Sequence, residues 1–523
     1  MKIIPVSYQD AAKKKNIFIP LFKEDNLAKQ ELFSCLPDSV KTAVAKLAKE
    51  EFKADEGETR SVWFPSGTTR RVRLFGLGEK AKWNPRRTQV LARNFVRYAK
   101  GERIDEFAAV LSPTSNPPVG GLKDDAARFA MNALMADFEF NKYRQKPKDG
   151  WPEVKTVYLA GDTKDLAETK TGIEAGMIIG EEVNSCRHLA NTPGSDMTPS
   201  LLAQAARDAS KNKKIRVRVM EEPEMKRLHM GGILGVASGS DEKPKLIILE
   251  YFGLPKATNL ERSRKKSRNG PSSPSGRLER PLVLVGKGVT FDSGGLNVKP
   301  HPHMYEMHMD MSGGAAVIHG IAAIARLKLP INVIGIIPAV ENMPSGSSYR
   351  PGDLLKTHSG KVIEVLNTDA EGRVILADAL SYGAKRYKPG LLIDFATLTG
   401  AAHGALGNHC SAIFTQDEKL QQHLVEIGNV SGDHVWPLPL WDEYLPEIKA
   451  TFGDLANIST TSDRAGGAIH GAKFLEQFAE GSRFAHVDIA PRMTTIDSDC
   501  MSKGASGVGV RFIVELAKQY PKL

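Results

Sequence analysis

The chain has 523 residues, 41% of them hydrophobic, and 71 Lys and Arg against 61 Asp and Glu give a net charge of +10. That length supports a large core split into at least two domains, and no run approaches the roughly 18 apolar residues that a membrane span needs. Residues 1–22, broken by Pro5 and Lys13 to Lys15, lack the apolar core of a secretory leader, and the four scattered cysteines (Cys35, Cys186, Cys410, Cys500) include no CxxC pair, which argues for free thiols and a cytoplasmic location.

Residues 1–170 read as an N-terminal α/β domain, with strand-like runs at 16–22, 72–77, 107–111 and 156–160 and charged helical stretches at 39–52 and 124–138. No paired acids, His cluster or phosphate loop occur there; residues 80–87 read as a solvated basic face and 117–121 as a turn. A helix follows, with Ala175, Ile179, Val183, Cys186 and Ala190 forming one apolar stripe, and it stops at Asn191-Thr192-Pro193. Residues 245–251 and 281–285 read as neighbouring buried strands. Between them, 255–280 carries eight Lys or Arg against two Glu and is rich in Ser, Pro and Gly; such a segment buries too little apolar surface to offset its ordering entropy, so a disordered basic surface loop is predicted.

A small-residue helix is expected at 313–327, then a strand at 331–339, a helix from Arg373, a strand at 391–395 with an exit loop at 396–400, and a late strand at 486–489. The alternation predicts an α/β protein: a smaller N-terminal α/β domain and, over 171–523, a larger catalytic domain whose mixed, mostly parallel central sheet is covered by helices on both faces. Lys287, Asp292 and Thr397 then fall at strand ends, where sites in such sheets lie.

The densest chemistry is residues 367–373, Asn-Thr-Asp-Ala-Glu-Gly-Arg, just before an apolar-periodic run. Asp369 and Glu371 therefore enter a helix, where backbone amides favour anions. Clustered carboxylates repel unless a cation lies between them, and a divalent metal is the strongest candidate; taken alone, the stretch reads equally well as a capping loop whose acids satisfy backbone amides. Upstream lie Lys287 in Gly-Lys-Gly, Asp292 in Phe-Asp-Ser-Gly-Gly, Lys299 in Asn-Val-Lys-Pro and Asp310 in Met-Asp-Met-Ser-Gly-Gly. Oxygen ligands with a lysine amine suit zinc, manganese, cobalt or magnesium.

Gly-Lys-Gly-Val-Thr-Phe-Asp-Ser-Gly-Gly followed by Asn-Thr-Asp-Ala-Glu-Gly-Arg closely resembles the leucyl aminopeptidase family of two-metal exopeptidases, from about residue 183 to the C-terminus. The resemblance implies hydrolysis of the N-terminal peptide bond by a metal-bridging hydroxide, with two divalent ions per subunit (zinc, manganese or cobalt, with magnesium admissible at the looser site). Asp292 and Glu371 would bridge them; Lys287 and Asp310 would complete the tighter site and Asp369 the looser one. Lys287 would ligate as a neutral amine, its pKa depressed by the ions. Lys299 would donate to the developing oxyanion, and Arg373 would bind a bicarbonate general base. Met307, Asn367, Thr397, Leu398, Gly400, Ala490 and Met493 would line the pocket for a leucine-like first residue, although Pro491-Arg492 departs from the family's small residues there. Peptide substrates, a homo-hexamer and no membrane partner are further implications.

Two other readings compete. His301, His303 and His308 beside Asp310 could form a histidine zinc site, but Pro300 and Pro302 make the first two an exposed loop; HExxH and the P-loop spacing are absent. The alternative from another class is a nucleic-acid-binding protein using the basic loop. It lacks a helix-turn-helix or an aromatic-interleaved basic patch, so nucleic acid is not an expected partner.

Overall fold

The structure, a computed structural model of the chain, describes residues 1–111, 121–211, 213–254, 280–461 and 465–523. The basic loop at 255–280 lies outside the described residues except for Arg280, and most of the turn expected at 117–121 lies outside them too. Two units emerge: Met1–Asn184 with Ile496–Ser502, and Ser185–Thr495 with Lys503–Leu523.

The first unit is built on a six-stranded sheet in the order Lys2–Ser7, Thr156–Gly161, Glu106–Val110, Asn16–Leu21, Arg71–Gly76, Thr59–Trp63. Every pairing is parallel except the last. Asn16–Leu21 shows why its sequence is a near-continuous apolar run: Ile17, Ile19 and Leu21 enter the core on one face and Phe18 the core on the other. The strands Lys2–Ser7 and Thr59–Trp63 and the helix Pro85–Gly101 add to the sequence-predicted elements. Ile496–Ser502 is tied in by Arg93, whose Nη1 donates to the Asp499 carbonyl at 2.9 Å, and by Ser502 Oγ, which donates to the Phe138 carbonyl at 2.8 Å.

The second unit carries a nine-stranded mixed sheet, ordered Val435–Pro437, Ser411–Phe414, Phe484–Asp488, Leu391–Ala396, Leu282–Gly286, Asn332–Asn342, Lys245–Phe252, Ile215–Met220, with Gly288–Asp292 paired on the far end of Asn332–Asn342. The four central strands run parallel. One expectation is corrected here. The strands beginning at Lys245 and Leu282 are not neighbours: Asn332–Asn342 lies between them, antiparallel to the first and parallel to the second. Adjacency in sequence failed as a guide because the intervening strand pairs through a helical crossover.

That crossover helix, Ser312–Arg326, is buried from Ser312 to Ile324. Its small residues permit near contact with the sheet: a Cβ on Gly286 would lie 2.6 Å from the Gly313 carbonyl oxygen, and one on Gly313 would overlap the Phe395 carbonyl. The helix Glu371–Tyr387 packs its apolar side into a core with Val283, Val285, Ile334 and Ile336.

Asp394 and His486 are register partners on adjacent strands, both fully buried, with Nδ1 and Oδ1 2.7 Å apart. His486 stacks on Phe414 at 5.5 Å. Burial pulls the His486 pKa down, but Asp394 outweighs it and holds the imidazole above its ordinary value. A raised folded-state pKa stabilises below the unfolded value of about 6.5 and loses that contribution as pH rises through the folded value. Asp394→Ala is expected to cost about 3–5 kcal/mol at pH 6, because it breaks a buried ion pair, and to reverse the pH dependence, because burial then favours the neutral imidazole and stability rises with pH; denaturant unfolding at pH 6 and pH 8 tests both.

Candidate metal-binding active site

Five segments deliver the singled-out residues to one edge of the central sheet. Leu282–Gly286 ends immediately before Lys287, Gly288–Asp292 ends on Asp292, Leu391–Ala396 ends before Thr397, and Glu371–Tyr387 starts at Glu371, with Asp369 in the preceding loop. Asp310 leads into Ser312–Arg326. Strand C-termini and helix N-termini thus meet where α/β sheets bind ligands.

Lys287 Nζ lies 2.7 Å from both Asp310 Oδ2 and Glu371 Oε1 and donates to the Thr397 carbonyl at 2.9 Å. Lys299 Nζ lies 2.8 Å from Asp292 Oδ2 and pairs with Asp369 Oδ1. Ligand atoms of Asp292, Asp369 and Glu371 all lie within 4.8 Å of one another. Lys287, Asp292, Asp310 and Glu371 are each no more than 3% exposed.

Four carboxylates thus face two ammonium groups in a space nearly closed to water, which leaves an excess of buried negative charge. Burial raises the pKa of Asp292, Asp310 and Asp369 against the opposing pull of the lysines. For Lys287 and Lys299, burial pulls the other way and is outweighed by the surrounding carboxylates, so both ammonium groups are held above the ordinary lysine value. Asp310 Oδ2, Asp369 Oδ1 and Glu371 Oε1 are buried and, beyond their ion pairs with the lysines, accept no hydrogen bond among the described residues. Carboxylate oxygens so poorly satisfied, in a net-negative pocket, are the donor set for hard or borderline divalent cations. In the protein alone Lys287 is a charged partner of the acids, so a neutral, ligating amine requires the ions themselves to reverse that balance.

Arg373 is 7% exposed and makes no hydrogen bond among the described residues; its Nε is buried without a partner. Burial lowers its pKa to about 10. The helix Gly467–Glu476 closes over it, since a Cβ on Gly471 would lie 3.3 Å from Nη2. A buried guanidinium without a protein acceptor is matched by a small anion.

The residues expected to line the substrate pocket fall into four groups. Thr397 Oγ1 donates to Asp310 Oδ1 at 2.6 Å, which commits its hydroxyl to the carboxylate cluster. The Leu398 and Ala490 amides both donate to Asp488 Oδ1 at 3.1 Å, and the helix Gly400–Leu406 packs on the turn Ala490–Arg492 that precedes half-buried Met493. Met307 lies instead with Lys299, where both line a cavity of about 850 Å³ with Phe291, His303 and Tyr305. Asn367 Oδ1 accepts from the Asp369 amide at 2.8 Å. His301 and His303 are exposed, and no histidine joins the one carboxylate group among the described residues that is placed to hold a metal.

Several residues not singled out in the sequence organise this site. Asn342, fully buried, donates through Nδ2 to Asp292 Oδ1 at 2.8 Å and to the Thr368 carbonyl at 3.0 Å. Tyr349 Oη donates to the same carbonyl at 2.6 Å, and Asn457 Nδ2 donates to the Asn367 carbonyl at 2.6 Å. Asp488 also accepts from Thr399 Oγ1 at 2.7 Å. A usable signal existed for two of them: Asn342 and Asp488 are each a polar residue at the C-terminal end of a mostly buried strand. Asn342→Ala is expected to weaken metal binding or turnover by about 10- to 100-fold, as loss of a ligand's supporting hydrogen bond does; metal titration with a competing chelator measures it.

Comparison with known proteins agrees with this layout. The catalytic-domain model of the cytosol aminopeptidase family matches residues 184–262 and 271–514, and that family's N-terminal-domain model matches 19–147. The unmatched 263–270 fall inside the basic segment. A protein named as a probable cytosol aminopeptidase of Geobacter sulfurreducens (strain ATCC 51573 / DSM 12127 / PCA) is 37% identical over 499 residues, 95% of each chain. One of the same name from Chlorobaculum tepidum (strain ATCC 49652 / DSM 12025 / NBRC 103806 / TLS) is 42% identical, covering 80% of this chain and 76% of that one. Among solved structures, a mutant of tomato leucine aminopeptidase superposes with a TM-score of 0.83 at 28% identity, covering 99% of this chain and 96% of its own. The bottromycin maturation enzyme BotP in complex with Mn gives 0.79 at 26% identity, covering 97% and 99%. Fold and site together define a hydrolase of the peptidase class. The chain belongs to the cytosol aminopeptidase family and is an aminopeptidase of the leucyl type.

Proposed function

We propose that this aminopeptidase removes leucine or another medium apolar residue from the free N-terminus of peptides, in the cytoplasm and as a homo-hexamer. Two divalent ions, zinc, manganese or cobalt with magnesium admissible at the looser site, would be held by Asp292 and Glu371 in common, by Lys287 and Asp310 on one side and by Asp369 on the other. When bound they supply an anchor for the substrate amine, polarisation of the scissile carbonyl and an activated water. The convergence of four carboxylates, three of them with a buried oxygen that meets only a lysine, carries this reading.

The remaining chemistry belongs to the chain. Lys299, at the rim of the cluster and in the cavity shared with Met307, donates to the oxygen on which negative charge develops. Arg373 would hold a bicarbonate ion, which would supply the general base for the attacking water; a buried guanidinium with no acceptor among the described residues supports this role. Asp488 sets the loop bearing Thr397, Leu398 and Gly400 against Ala490 and Met493, so the first side chain of the peptide meets a wall of fixed shape.

The test is an assay of metal-stripped protein resupplied with manganese, cobalt or zinc, against leucine amides with free and with acetylated N-termini. Cleavage of the free amine alone, restored by metal, is expected. Equal cleavage of the acetylated substrate would show that the amine is not read, and no cleavage with any metal by folded protein would overturn the assignment.

A further inference from the structure

The first unit contributes no residue to the carboxylate cluster, yet it has a cavity of its own, about 740 Å³ in volume. It opens at the C-terminal end of the strand Arg71–Gly76 and the start of the helix Pro85–Gly101. Its size lies in the range of small-molecule sites. Phe75, Trp83 and Tyr98 form its aromatic part, and four arginines, Arg73, Arg86, Arg87 and Arg97, line it against two glutamates.

Both glutamates are already engaged. Glu56 pairs with Arg87 at 2.7 Å, and Glu58 accepts from the Lys53 amide at 2.9 Å and the Asp55 amide at 3.3 Å. Arg73 has no carboxylate within ion-pair distance among the described residues. Its Nη groups donate to the Ser61 and Thr59 hydroxyls, its Nε is buried without a partner, and its guanidinium carbon sits 3.6 Å from the Tyr98 ring centroid. Arg97 is exposed at the cavity and likewise has no ion pair among the described residues. The sequence reading of 80–87 as a solvated face holds for Lys80 and Lys82, which are exposed, whereas Arg86 and Arg87 are half-buried in the cavity wall.

We infer that the first unit carries a second ligand site, for a small organic anion with a planar ring, of mononucleotide size. The excess of guanidinium over carboxylate selects the anion. Aromatic and guanidinium planes select a flat body over an inorganic ion, and the volume of the cavity limits its size.

Isothermal titration of the metal-loaded full chain at low salt tests this, with adenosine monophosphate as the probe and adenosine, ribose 5-phosphate and inorganic phosphate as partial probes. One saturable site per chain for the nucleotide is expected, with each partial probe at least about tenfold weaker. Arg97→Gln, on an exposed side chain, and Arg73→Gln are each expected to weaken it about tenfold or more while leucine amide hydrolysis by Arg97→Gln stays unchanged. Absence of saturable binding up to millimolar nucleotide would overturn the inference, as would affinity unaltered in Arg97→Gln. Binding of a single-stranded oligonucleotide without mononucleotide saturation would also overturn it, in favour of a nucleic-acid surface.

Discussion

Gly372→Ala is expected to lower peptidase turnover by about 100-fold or more while the protein stays folded. Gly372 lies in the first turn of Glu371–Tyr387, and a Cβ there would stand 2.6 Å from Lys287 Cε and 2.7 Å from Nζ. Helix propensity alone favours the substitution by up to about 1 kcal/mol, so a stability argument from sequence would rate it harmless. Lys287 has no slack to retreat: it is 3% exposed and held by Asp310, Glu371 and the Thr397 carbonyl. Its flexible end gives way before the backbone does, and displacement of a catalytic-site group by about 1 Å costs on the order of 100-fold. Metal analysis should show reduced loading and thermal unfolding a near-normal midpoint. Full activity in this variant would mean that the position of the Lys287 amine is immaterial.

Lys299→Ala should lower kcat by about 100- to 1000-fold, the usual cost of one donor to a developing oxyanion, with both metals still bound. The geometry adds a second readout. Lys299 pairs with both Asp292 and Asp369, so in protein stripped of metal its removal would leave two carboxylates facing each other. The stripped variant is expected to lose about 3–5 kcal/mol of stability, as a broken buried ion pair does, and added metal should restore most of it because the ions take over the role of countercharge. Loss of metal affinity with turnover per bound metal unchanged would instead make Lys299 a structural clamp.

The two substitutions differ in what sequence could reveal about them. Lys299 was legible in the chain: it lies seven residues after Asp292, in Asn-Val-Lys-Pro, where the family resemblance implies an oxyanion donor. Gly372 was not, since a glycine between Glu371 and Arg373 reads equally well as a helix-start residue; its function lies in the side chain of Lys287, 85 positions away. Asn342 and Asp488 sit between these cases. Each ends a mostly buried strand, but neither reveals which carboxylate or amide it holds until the strands are paired. His301 and His303 show the reverse error to guard against: metal-ligating residue types near Asp310 that remain exposed.

Sheet order followed the same division. Apolar runs marked Asn16–Leu21, Lys245–Phe252, Leu282–Gly286, Asn332–Asn342 and Leu391–Ala396, because a strand buried on both faces must be apolar along its length, and that is a local property. Their neighbours were not local: Asn332–Asn342 enters between Lys245–Phe252 and Leu282–Gly286, and Ile496–Ser502 joins the unit formed by the first 184 residues.

By itself the sequence marked Lys287, Asp292, Lys299, Asp310, Asp369, Glu371 and Arg373 as candidates for chemistry, by the density of charge within short apolar contexts and by resemblance to the family's motifs. Only the tertiary structure decided how they are held: which oxygens are left with a lysine alone, which glycine makes room for that lysine, and which asparagine fixes a carboxylate. Those are distances between residues far apart in the chain, set by strand pairing and helix packing, and no local pattern encodes them.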